Sequence, residues 1–201
     1  GNIDAEGRLL PEDDRRRAYN RGNLLWHTDA SYDQARGVYS LLSCHSIPPG
    51  GADTEFADMR AAYDFLPETL KQQIENLVVE HSIWYSRALA GMTDVSDAEK
   101  ATRPPARHRL VHTHPGSGRK ALYLGRRFGA YIPGLTLADS EAMLDLLWSH
   151  AARPEDVWTQ QWQVGDLIVW DNRCTMHRRD AFTGQGRRRM HRLTTLGERP
   201  Q

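Results

Sequence analysis

The sequence predicts a mainly β protein, a sandwich or jelly roll with a few helices packed outside it. Two features point there. Short β-rich apolar runs recur along the chain, separated by Gly and Pro turns, and helical spacing of apolar residues occurs in only a few places.

Residues 1–23 are polar, carry a charged run from Glu12 to Arg17, and read as a surface loop. Val38–His45 is the first strand and stops at the breaker Pro48-Pro49-Gly50-Gly51. Asp58 can cap a short helix ending near Leu66, and Pro67 suits the first turn of the next. In that second helix Leu70, Ile74 and Leu77 share one face. Leu77–Tyr85 then turns into a strand, and 86–107, with Pro104-Pro105, is expected to be a long loop or lid. Strands follow at Arg109–Thr113 and Ala121–Leu124, joined through Pro115-Gly116-Ser117-Gly118. Ser140–His150 is a helix with Met143, Leu144 and Leu147 as its apolar stripe. Trp158–Val164 and Leu167–Trp170 flank Gly165-Asp166 like a hairpin, and the last strand runs from Met190 to Leu196.

The 201 residues suit a single domain, 1–201. Lys plus Arg and Asp plus Glu are 26 each, and this zero balance argues against a nucleic-acid or anionic-membrane binder. No apolar run approaches the roughly 20 residues of a membrane span. The two cysteines, Cys44 and Cys174, form no CxxC and read as isolated buried thiols, which fits a cytoplasmic location. The chain starts at Gly1 without Met and reads as a fragment or a processed form.

One constellation carries chemistry. In an extended segment side chains i and i+2 share a face, so His27 and Asp29 of His27-Thr28-Asp29 can reach one ion together. Far downstream, the stretch from Trp170 to His177 runs from a strand end into a loop that can bring His177 to the same place. Two histidines and one carboxylate form the facial set of non-haem Fe(II) oxygenases, with three coordination positions left open. A zinc hydrolase can use the same donors, but the chain has no HExxH helix.

LWHTD at 25–29, GGADT at 50–54, GDLIVWDNRCTMHR at 165–178 and RRRMHR at 187–192 resemble, in order and separation, the taurine dioxygenase and phenoxyalkanoate dioxygenase family. The likeness spans nearly the whole chain and is closest to the branch acting on phenoxyacetate and phenoxypropionate herbicides, with THPGSGRK at 113–120 carrying much of it. A further N-terminal stretch, roughly a third of a typical member, has no counterpart here, and part of the sheet and some substrate contacts would lie in it.

The resemblance implies a cupin-like double-stranded β-helix, Fe(II) bound by His27, Asp29 and His177, and 2-oxoglutarate and O₂ as cosubstrates. Arg188, eleven residues after His177, and Thr54, twenty-five after Asp29, stand where the family binds 2-oxoglutarate. An arginine suits its far carboxylate because the planar fork bonds bidentately. Taken alone, Arg188 reads as a solvated charge among Arg187, Arg189 and Arg192. By resemblance Arg192 binds the substrate's anionic group and His114 contacts the phenoxy substrate. The competing reading of His114 is a turn residue bonded to nearby backbone, and His112 competes for its place. Tyr32 is a candidate for the substrate pocket or for packing, and Trp170 for a wall of the iron site. The implied partner is a small anionic substrate, with no nucleic acid and no membrane, in a homo-oligomer. The implied reaction hydroxylates an aryloxyalkanoate next to its ether oxygen, releasing a phenol and a 2-oxo acid with succinate and CO₂. The alternatives are a taurine or alkylsulfonate dioxygenase, or a non-catalytic metal-binding module.

Overall fold

A computed structural model of the chain describes all residues except 1, 5, 12–13, 15, 17–20, 51, 90–93, 182–185 and 198–201. Most of the Glu12–Arg17 run, Gly51 of the GGADT motif and part of the expected 86–107 loop therefore lie outside the described residues.

The fold is mainly β with some helices. One antiparallel sheet is ordered β11-β1-β9, from Arg189–Leu196, Gly37–Ser46 and Leu167–Asp171. A second is ordered β10-β2-β8, from Thr175–Arg179, Thr54–Asp58 and Val157–Gln160. The two sheets meet where Trp170 of β9 packs its ring 5.3 Å from Phe56 of β2 and 4.7 Å from His177 of β10. Smaller sheets join β3 (Val78–His81) to β4 (Ala106–Arg109) and β7 (Ala130–Tyr131), and β5 (Val111–Thr113) to β6 (Lys120–Leu122).

α1 (Met59–Asp64) starts where the Asp58 carboxylate accepts the Arg60 N–H, a side-chain cap. α2 (Glu68–Ile74) follows Pro67 and buries Leu70 and Ile74, one turn apart. α5 (Leu137–Ala151) is capped by Thr136 and buries Leu144, Leu147 and Ala151. These join Met59, Leu110, Leu122, Leu124, Ile132 and Met176 in the apolar core. Cys44 and Cys174 are free and buried, as their sequence context implies.

Several expectations are corrected. Gly165, at φ 98°, does make a turn, but β8 and β9 belong to different sheets rather than to a hairpin. The strand expected over Leu77–Tyr85 is only β3, because helix α3 (Ile83–Leu89) begins at once. The expected loop at 86–107 contains the end of α3 and then α4 (Asp97–Ala101), started by a reciprocal Ser96–Glu99 capping box. Arg109–Thr113 is split between β4 and β5 at Leu110, whose backbone pairs with Leu77 and Tyr123. His177 lies within strand β10, not in a loop.

Gly125 has a left-handed φ of 66°, and a Cβ there would overlap the buried His81 ring. Gly125→Ala should therefore lower stability by about 3 kcal/mol, combining backbone strain with overpacking. Urea unfolding midpoints at constant m-value measure this.

Candidate metal centre and anion site

Main-chain pairing brings the first and last donors together. The His27 N–H donates to the His177 carbonyl at 3.0 Å, and the His177 N–H donates to the His27 carbonyl at 2.9 Å. The Thr28 N–H is held by the Gly125 carbonyl at 3.1 Å. After Asp29, Ala30 takes a left-handed φ of 56°, which turns the chain so that the Asp33 N–H closes on the Ala30 carbonyl. Such a conformation costs a non-glycine residue about 1–2 kcal/mol, and it sits beside the candidate ligand.

The three side chains converge. His27 Nε2 lies 3.8 Å from Asp29 Oδ1, and His177 Nε2 lies 3.9 Å from Asp29 Oδ2. One donor atom from each residue lies within 4.8 Å of the others, and all three residues are buried. The His27 Nδ1 is 2.8 Å from the Leu25 carbonyl, which selects the tautomer with a lone pair on Nε2. Burial, with help from the nearby His177 and Arg126, pushes His27 well below the ordinary histidine range. Burial also lowers His177. Burial alone would raise the Asp29 carboxyl, but His177, His27 and Arg192 outweigh it and hold the group at about 2. Two neutral imidazoles and one ionised carboxylate are the metal-binding forms of these groups, and this donor set fits ferrous iron.

A second feature is a buried cation with no carboxylate partner among the described residues. Arg188 is buried, and the only hydrogen bond of its side chain among the described residues runs from Nη2 to the Ala52 carbonyl at 3.5 Å. Its Nε has no partner, and no described carboxylate pairs with it. Burial, helped by the charge of Arg179, pulls its guanidinium down to about 10. Thr54 sits opposite Arg179 in the β2–β10 ladder. Its hydroxyl accepts the Trp162 indole N–H at 2.9 Å, so its own proton can go to a ligand. A desolvated, unneutralised cation can receive a carboxylate, and a hydroxyl in Thr54's state can donate to one.

The remaining candidates are placed as follows. Arg192 is about half exposed and donates to Asp29 Oδ1 at 2.8 Å. Trp170 packs at a tilt against His177, one wall of the triad. Tyr32 is half-buried, with the Arg103 guanidinium 6.0 Å from its ring centre. His114 is buried with both ring nitrogens engaged, Nδ1 by Ser117 and Nε2 by Asp171 at 3.0 Å. That is the turn-holding geometry weighed against its substrate role. His114, Asp171 and Cys174 also cluster, but Arg173 already forks the Asp171 carboxylate.

Four residues at the site had no assigned role from sequence: Ser40, Asn172, Trp162 and Arg179. Ser40 had a readable signal, since it is a hydroxyl on an inward position of an apolar strand.

Behind the triad, His81, His108 and His112 pack around Tyr123. Burial depresses His81 to about 3 and His112 to about 4, and also lowers His108. Histidines with folded pKa values below the unfolded one contribute full stability above about pH 6.5 and lose it as the pH falls toward 3–4. Stability should therefore drop steeply between pH 6.5 and 4. A His81→Leu variant should show a shallower acid limb in urea unfolding measured across that range.

The family model described as "Taurine catabolism dioxygenase TauD, TfdA family" matches residues 2–194. Among curated relatives, the α-ketoglutarate-dependent 2,4-dichlorophenoxyacetate dioxygenase of Burkholderia sp. (strain RASC) is 42% identical over 98% of this chain and 66% of its own length. The (S)-phenoxypropionate/α-ketoglutarate dioxygenase of Sphingobium herbicidovorans is 38% identical over 88% of this chain and 64% of its own. The crystal structure of AAD-2 with Mn(II) and N-oxalylglycine superposes with a TM-score of 0.93 at 43% identity, covering 99% of this chain and 73% of that one. The chain thus spans about two thirds of the length of the curated relatives it matches.

Proposed function

Because the chain belongs to the TauD, TfdA family of α-ketoglutarate-dependent dioxygenases, we propose that it oxidises an aryloxyalkanoate next to the ether oxygen, through a centre formed by His27, Asp29 and His177. The cofactor set is that of the family: Fe(II), 2-oxoglutarate and O₂. When bound, iron couples the decarboxylation of 2-oxoglutarate to hydroxylation of the substrate. The finer architecture we assign is the cupin-like double-stranded β-helix, with 1–201 as one dioxygenase domain.

The protein's own groups supply orientation and charge. Arg188 and the Thr54 hydroxyl hold the far carboxylate of 2-oxoglutarate. Arg192, beside the triad and reachable from solvent, meets the substrate's carboxylate. Trp170 and Phe56 exclude water from one side of the imidazole of His177. Of the substrate candidates, Arg192 lies against the triad, whereas His114 is committed to Ser117 and Asp171 and serves the turn at 114–117. Replacing the hydrogen on the ether carbon by hydroxyl gives a hemiacetal or hemiketal. Its collapse yields the phenol and glyoxylate from a phenoxyacetate, or the phenol and pyruvate from a phenoxypropionate, with succinate and CO₂.

The observation that carries this reading is the pairing of three convergent buried donors with an unneutralised buried arginine. A binding module would need the donors but not the cation. The deciding experiment incubates the protein with Fe(II), ascorbate and 2-oxoglutarate against phenoxyacetate, R- and S-phenoxypropionate and taurine. Phenol release matched by succinate supports the proposal. Sulfite release from taurine without phenol would assign the sulfonate reaction instead, and absence of succinate with every substrate would leave only metal binding.

A further inference from the structure

Asp29 is held by a short chain of buried hydrogen bonds whose donors and acceptors follow from the chemistry of the groups at its ends. Asn172 is fully buried. Its Oδ1 faces two groups that can only donate, the Trp170 indole N–H at 3.0 Å and the Asp29 backbone N–H at 3.3 Å. The amide therefore presents its NH₂ to Ser40, and Nδ2 donates to the Ser40 Oγ at 2.8 Å. Ser40 is also fully buried, so its oxygen accepts from Asn172 and has one proton to give. Two acceptors compete for it, Asp29 Oδ2 at 2.8 Å and Thr194 Oγ1 at 3.1 Å. The ionised carboxylate is the stronger acceptor, so the proton goes to Asp29 and Thr194 can donate to Ser40 in turn.

We propose that Asn172 and Ser40 are positioning residues, a buried two-step relay that sets the rotation of the Asp29 carboxylate and thereby the affinity of the centre for a divalent metal. The Asn172 Oδ1 fixes the Asp29 backbone, while its Nδ2, through Ser40, fixes the carboxylate. One amide thus locks both ends of the same residue. The claim rests on the reading of Asp29 as a metal ligand, and Ser40 and Asn172 themselves need not touch the ion. Groups that orient a ligand from behind typically alter metal affinity by about 10- to 100-fold when removed.

Metal-free full-length protein is titrated with Mn(II), with free ion followed by its EPR signal, and each variant is checked by thermal unfolding. Ser40→Ala should weaken Mn(II) binding by about 10-fold or more and alter the bound-ion spectrum, and Ser40→Thr, which keeps the hydroxyl, should restore most of it. Asn172→Asp is the sharper probe. It keeps the shape and the acceptor toward Trp170 but takes away the donor to Ser40, so the relay predicts weaker binding. Simple attraction to an added negative charge predicts tighter binding. In a Ser40→Ala background, Asn172→Asp should weaken binding no further. If Ser40→Ala and Asn172→Asp lower only the melting temperature and leave Mn(II) affinity within twofold of wild type, while Asp29→Ala abolishes binding, the relay is wrong and the metal centre stands. If Asp29→Ala binds Mn(II) like wild type, the centre itself is wrong and the relay falls with it.

Discussion

Arg188→Met should raise the KM for 2-oxoglutarate by about 30-fold or more while making the ligand-free protein more stable. The two halves have one cause. Arg188 is buried beside Arg179 with no described carboxylate, and its guanidinium is held at about 10 chiefly by burial. Its charged form costs folding stability at every pH below that value, and the cost is relieved only as the pH rises through about 10 toward the unfolded value. A methionine of similar length removes this cost, worth about 1–3 kcal/mol by the usual penalty for an unsatisfied buried polar group. It also removes the proposed partner of the cosubstrate carboxylate. Losing one side of a buried charge pair costs about 2–5 kcal/mol, or 30-fold upward in affinity. Thermal unfolding with and without 2-oxoglutarate separates the two effects. Wild type should gain stability from the ligand and the variant should not. A variant less stable than wild type, with unchanged KM, would show that Arg188 serves the fold alone.

Asp29→Asn should reduce 2-oxoglutarate turnover by more than about 100-fold, exceeding the loss expected from a group outside the coordination shell. The substitution keeps the volume and can still accept the Ser40 hydroxyl, so the fold should survive. It removes the negative charge that opposes Arg192 and faces both imidazoles. Succinate production at saturating Fe(II), compared with Mn(II) affinity, checks the assignment. Loss of both places Asp29 at the centre, whereas unchanged Mn(II) affinity would remove it from the ligand set.

How legible this was from the sequence depended on whether the information was local or distant. β1 was readable from its apolar VYSLLSC run and α5 from its 3.6-residue stripe, and β11 was placed at Met190–Leu196 within a residue of where it lies. The pairing of β8 with β2 and of β9 with β1 was not, because a glycine turn between two short strands looks the same whether they pair or part. The Ser96–Glu99 signature of α4 stood in plain view, but the surrounding polar composition masked it. Ligand chemistry made His27, Asp29 and His177 candidates and the resemblance of the motifs around them singled them out among nine histidines; the structure does bring them together. Placing His177 in a loop failed because the strand it occupies is defined by its partner, β2, and by no pattern of its own. Ser40 and Asn172 were unassigned for a similar reason. Their significance is mutual, and they lie 132 positions apart.

The reciprocal main-chain bonds between His27 and His177 have a consequence for the nascent chain. The two histidines lie 150 positions apart, so no emerging polypeptide can assemble the proposed metal centre until β10 has left the ribosome and docked against the earlier segment that carries His27. On that assignment, a bound metal would clasp earlier and later portions of the chain, its binding energy adding to their association. Fraying at either end should open the other, so the amides of His27 and His177 should exchange with solvent at a common rate that slows when the metal is present.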